Sequence, residues 1–224
     1  MRRLWPFGVV AVVELIGVAA DSTLLQWLAK PLLAPVLLVY LLRARRRVDP
    51  VAVGLVFATG GDIALLLSGD TAFLVGMGCF LVTQIAFLAA FLRHRRPPAA
   101  GLIIYLALWA VANLLLWRAL GPLRLPVLGY SLALSLMAAA ANGVSRRVAL
   151  GGGLFLLSDL LIGLDAVDLR IPGHGLAVMI TYIAALLLIT TGWVAASDRR
   201  DRSAAGVGHT TPTPAPGPTP DGVR

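Results

Sequence analysis

The chain has 224 residues, of which 58% are hydrophobic and only 13% charged, with a mean hydropathy of +0.86. Soluble domains are about half apolar and about a quarter charged, so this composition excludes an ordinary soluble domain, a disordered chain and a disulfide scaffold. The formal charge of +8 sits in short seams between apolar runs. It reads as an orientation signal rather than a nucleic-acid surface, since no exposed basic helix or aromatic platform accompanies it.

Eight apolar segments follow one another: Leu4–Ala20, Leu24–Leu42, Val51–Leu67, Phe73–Phe91, Leu102–Leu120, Pro126–Ala141, Val148–Leu164 and Leu176–Ala196. Each approaches the roughly 20 residues that a helix needs to cross the hydrocarbon core. They are continuously apolar rather than alternating, which favours helices over barrel strands. The fold class expected is therefore all-α: a polytopic membrane helix bundle with eight transmembrane helices. Residues 1–196 form that domain, and 197–224 a disordered Thr/Pro-rich cytoplasmic tail.

The first segment, led by Arg2-Arg3, also resembles a signal peptide, but Glu14 interrupts it. One alternating set of segment ends holds Arg43 to Arg47, Arg93 to Arg96, Arg146-Arg147 and Arg199 to Arg202. The other holds Arg118, Arg124 and Arg170, with Asp21, Asp70, Asp165 and Asp168. By the positive-inside rule both termini are expected in the cytoplasm.

The third and seventh segments echo each other. In each, a glycine lies eight residues before an aspartate, Gly54 before Asp62 and Gly151 before Asp159, and a small residue immediately precedes the acid. Both segments run in the same direction, as a duplicated four-helix unit would require.

Ionisable residues within such segments are expensive, roughly 2.5–3.5 kcal/mol each at mid-bilayer. Four lie well inside: Glu14, Lys30, Asp62 and Asp159. Given the expected directions, all four fall at one level, where Asn113, Tyr130 and Tyr182 also lie. That shared level implies one polar cavity within the bundle. Structural readings stand beside it: Lys30 snorkelling to the interface, Glu14 as glue for Lys30, Asn113 and Tyr182 as helix-to-helix hydrogen bonders. Cys79 is alone, so no intramolecular disulfide forms. His94 and His209 lie on the side opposite His174, so no histidine cluster supports a metal. Two carboxylates and a lysine form a metal-free acid–base set, and no Gly-x-Ser-x-Gly elbow or phosphate-cradling loop is present.

Lys30-Pro31 at the second helix, Gly61-Asp62 in the third, Phe73-x2-Gly76-x3-Phe80 in the fourth and Ser158-Asp159 in the seventh resemble the YhhN-like lysoplasmalogenase family over roughly residues 5–196. The chain departs at Gln84, where histidine is expected of many members, so no proton shuttle is expected there. The resemblance implies hydrolysis of the vinyl-ether bond of lysoplasmalogen-type lysolipids to a fatty aldehyde and a glycerophospho-base. Asp62 and Asp159 would be the acid and base. Lys30 would tune their proton affinity or hold a phosphate oxygen. Glu14, Asn113, Tyr130 and Tyr182 are further candidates to bind or tune. No cofactor is implied, and the partners are a lysolipid and membrane lipids, in a bacterial plasma membrane. Another lysolipid or vinyl ether remains open as substrate. A proton-coupled transporter and a non-catalytic lipid-binding protein are the rival functions.

Overall fold

The structure, a computed structural model, describes residues 4–165 and 172–207. Arg2, Arg3, Asp168, Arg170, His209 and the Thr/Pro-rich stretch from Thr210 lie outside the described residues. Each expected segment is an α-helix: α1 Trp5–Ala19, α2 Thr23–Arg45, α3 Pro50–Ala64, α4 Asp70–His94, α5 Ala99–Leu116, α6 Arg124–Ala141, α7 Arg146–Asp165 and α8 His174–Val207. Among the described residues no strand occurs.

Six of these helices are long and apolar enough to cross a membrane, whereas α1 and α3 have 15 residues each. At 1.5 Å per residue they reach about 22 Å, short of a core of about 30 Å. The expected length is corrected most clearly at α3. It stops at Ala64, because Leu65 to Leu67 turn tightly into Ser68. Asp62 therefore lies in the last turn of α3.

The other correction is at the far end. α8 continues through Val207, beyond the expected start of the tail at residue 197. Asp198 and Asp201 on this extension accept from Nη1 of Arg45 at 3.0 and 2.9 Å, so ion pairs rather than apolar burial hold it.

Small residues set the packing. α3 lies on α4 and α7 on α8. A Cβ on Gly54 would stand 2.4 Å from the Phe87 ring, and one on Gly61 2.7 Å from Phe80. On the other pair, a Cβ on Gly151 would stand 2.9 Å from the backbone nitrogen of Ile189. Hydroxyls fasten both pairs: Thr83 Oγ1 donates to the Gly54 carbonyl at 3.0 Å, and Ser158 Oγ to the Val178 carbonyl at 3.1 Å. Such small-residue contacts are how helices approach closely in lipid. The sequence echo thus has a packing counterpart.

α2 keeps its helix through Pro31 and Pro35 and buries Leu33, Leu37 and Leu41 completely. α5 is peripheral: it packs chiefly on α6, and Asn113 is its buried residue. The packed neighbours of α4 are α3 and α6, which leaves room between α4 and α5.

The arginine-bearing ends of α2, α4 and α8 come together on one face of the bundle, where Asp49 caps α3. Its Oδ1 accepts from the Ala52 amide at 3.1 Å and its Oδ2 from Trp193 Nε1 at 2.7 Å. Because both bonds are lost together, Asp49→Ala is expected to destabilise the detergent-solubilised protein by about 2 kcal/mol. Thermal unfolding followed by fluorescence checks this, and an unchanged midpoint would show that the cap is redundant.

Candidate active site

The room between α4 and α5 is a cavity of about 410 Å³. α4, α5, α6 and α7 wall it, mostly with Leu, Val, Phe, Met and Ile side chains. Polar groups enter the wall at Asp159, Tyr130, Asn113, Ser131, Ser135 and Trp109.

Asp159 on α7 is only partly buried, because it faces the cavity. Its Oδ2 accepts from the Tyr130 hydroxyl of α6 in a short hydrogen bond, and from Gln84 Nε2 of α4 at 3.2 Å. Both donors take the same oxygen. Oδ1 accepts from neither, which leaves it for whatever occupies the cavity. Asn113 lies further along the wall. Its Nδ2 donates to the Ser131 hydroxyl at 3.1 Å and to the Trp109 carbonyl at 2.9 Å, while its Oδ1 is buried without a partner.

Asp62 is 1% exposed and lies beside this wall. Its Oδ2 accepts from the Tyr182 hydroxyl of α8 at 2.7 Å, and its Oδ1 has no partner. Lys30 and Glu14 are close enough for their charges to act on Asp62. Glu14 is fully buried with both oxygens unpartnered. Lys30 is near Glu14 without ion-pair contact between the two.

Phe80 borders both groups. It lines the cavity on one side and meets Tyr182 edge-on at 5.8 Å and Phe155 at 6.2 Å on the other.

Of the residues expected around one cavity, Asn113, Tyr130 and Asp159 line it. Asp62 and Tyr182 bond each other beside it, with Phe80 against Tyr182, and Lys30 and Glu14 lie near Asp62. Gly61, the residue before Asp62, lets the Phe80 ring seat directly against α3. Gln84, read from the sequence as a departure, is a direct partner of Asp159 and is fully buried. The signal for it was its position as a lone amide inside an apolar helix, which in lipid needs a partner. The two aspartates are held crosswise. The partner of Asp62 is on α8, and one partner of Asp159 is on α4, at places equivalent within one residue if the chain is read as two repeats.

An all-helical bundle of apolar helices with buried carboxyls and an apolar cavity between helices is a polytopic integral membrane protein. The chain belongs to the YhhN family, whose sequence model matches residues 25–193. Similar proteins include the pig protein named lysoplasmalogenase TMEM86B, 36% identical over 132 residues, covering 58% of this chain and 57% of that one. The human protein of the same name is 34% identical over 138 residues, covering 61% and 59%. A Mycobacterium bovis protein named lysoplasmalogenase is 31% identical over 175 residues, covering 73% and 66%. This chain thus spans less than two thirds of the length of these relatives. No solved structure matches the chain.

Proposed function

We propose that this protein is an integral membrane hydrolase that cleaves the vinyl-ether bond of a lysoplasmalogen-type lysolipid, with all eight helices crossing the membrane and both termini in the cytoplasm. The observation that carries the reading is Asp159. It is a carboxyl on the wall of an apolar cavity, with one oxygen held by Tyr130 and Gln84 and the other accepting from neither. The names of the pig, human and mycobacterial relatives support it.

The chain of a single-chain lipid lies in the slot among α4 to α7, and the vinyl ether reaches Asp159. With Oδ2 occupied as an acceptor, the acid proton sits on Oδ1. Transfer of that proton to the β-carbon of the vinyl ether gives an oxocarbenium ion. Water adds to the α-carbon, and the resulting hemiacetal releases the glycerol hydroxyl and a fatty aldehyde. One water is consumed and nothing is oxidised or reduced. General acid catalysis by a positioned carboxyl contributes typically 10²–10⁴-fold. Asp62 is the second carboxylate, offsetting positive charge from beside Tyr182. Asn113, with its unpartnered Oδ1, is placed to meet a polar group of the lipid.

The test is aldehyde release from lysoplasmalogen by the purified protein in detergent, read by mass spectrometry, with ester-linked lysolipids as controls. Aldehyde from the vinyl ether alone is expected. Proton-coupled flux in liposomes without aldehyde would replace the reading with a transporter. A folded protein showing neither would replace it with lipid binding.

A further inference from the structure

At the arginine-rich face, α2, α3, α4 and α8 border a second, open cavity of about 230 Å³. It lies at the opposite end of α3 and α4 from Asp62 and takes no part in the chemistry above. Arg45, Arg47, Arg93 and Arg200 line it, against the carboxylate of Asp201. Counting Asp198, which also pairs with Arg45, four guanidinium groups face two carboxylates.

Arg45 forms its buried part. Its side chain is 3% exposed, whereas those of Asp198 and Asp201 are 46% and 55% exposed. Both carboxylates take the same nitrogen, Nη1. Nε of Arg45 is buried and donates to nothing. A buried donor of a charged group without an acceptor is costly. Arg200 is tied down as well, its Nη1 donating to the carbonyls of Arg93 and His94 at 2.9 and 3.3 Å. Arg47 reaches Asp201 only at 3.6 Å and is 60% exposed.

The cavity is thus a concave, cationic space with two of its arginines held in place and a buried N–H left over. A tetrahedral oxyanion suits it, because several acceptor oxygens can meet guanidinium forks from different helices at once. We propose that this cavity binds a phosphate group, with Arg45, Arg47 and Arg93 as donors and Asp198 and Asp201 holding Arg45 in position. A phosphate can arrive from two sources: the headgroup of an anionic phospholipid at the membrane surface, or a soluble phosphate ester.

The full chain in uncharged detergent is melted with inorganic phosphate against chloride at matched ionic strength. In a second arm it is melted in phosphatidylcholine nanodiscs with and without phosphatidylglycerol. Saturable stabilisation is expected in at least one arm. It should weaken roughly tenfold or more in midpoint concentration in the Arg47→Gln/Arg93→Gln double variant, a tenfold change being about 1.4 kcal/mol. These two side chains hold no buried bond, so the variant is expected to fold, as its melt without ligand reads directly. Single Arg93→Gln is the second variant. Stabilisation by phosphate in detergent assigns a soluble ligand, and stabilisation by phosphatidylglycerol alone assigns a lipid. No stabilisation in either arm, or the same stabilisation in the variants, overturns the site. Aldehyde release plays no part in this readout, so the site stands or falls separately from the proposed hydrolysis.

Discussion

Asp159→Asn is expected to lower aldehyde release by about 10³-fold or more while leaving the fold intact. The substitution keeps the shape and the acceptor oxygen that Tyr130 and Gln84 bond, but it removes the ionisable proton. A side chain that only positioned the lipid would lose affinity instead, raising KM with kcat nearly unchanged. The expected loss is in kcat, as general acid catalysis implies. Tyr130→Phe and Gln84→Ala should each cost less, because each takes away one of two donors to the same oxygen. Asp62→Asn should fall between. It keeps an acceptor for Tyr182 but loses the charge beside it. Initial rates by mass spectrometry, with thermal melts to show that each variant is folded, decide the order. Full turnover in Asp159→Asn would remove Asp159 from the chemistry. Full turnover in the double aspartate variant would remove the whole site.

The second large effect concerns stability. Gly151→Val is expected to destabilise the bundle by about 3 kcal/mol or more, at the upper end of what overpacking costs. The new Cβ would meet the Ile189 backbone nitrogen at 2.9 Å and the Ala185 carbonyl at 3.0 Å. No side-chain rotation relieves a clash with backbone, so α7 and α8 must move apart, and the Ser158 bond to Val178 between them stretches. Gly8→Ala is the opposite case. Nothing lies within 4 Å of its would-be Cβ, and alanine favours a helix over glycine by roughly 0.8–1 kcal/mol, so it should be neutral or slightly stabilising. Thermal unfolding in one detergent compares the two. Equal melting of Gly151→Val and the parent would mean that the α7 and α8 contact is not close.

The same close contacts explain why only part of the site was legible. Asp62 and Asp159 stood out because an acid inside an apolar segment needs a reason, and both prove to be hydrogen-bonded to tyrosines of other helices. Their expected depth does not say which way a side chain faces. Asp62 and Asp159 follow the same local pattern, yet one is buried against Tyr182 and the other opens on a cavity. That difference comes from Gly61, which seats the Phe80 ring, and from α5 packing on α6 away from α4. Neither neighbour relation is written in local sequence. Gln84 was visible as a polar residue out of place, but its partner lies 75 residues away.

Hydropathy alone determined that this chain folds as a set of apolar helices, where each starts and stops to within a few residues, the end of α8 excepted, and that its arginines collect at alternate helix ends. These follow because the burial of apolar surface and the closing of backbone hydrogen bonds in lipid are properties of each segment by itself. The tertiary structure decided which helices touch, how far each is turned about its axis, that α3 ends two residues after Asp62, and that α8 runs on to Val207 along Arg45. Those outcomes depend on side chains from distant segments filling one another's gaps, as Phe87 fills the space at Gly54. Such fit is a property of pairs of helices, and it exists only once they have met.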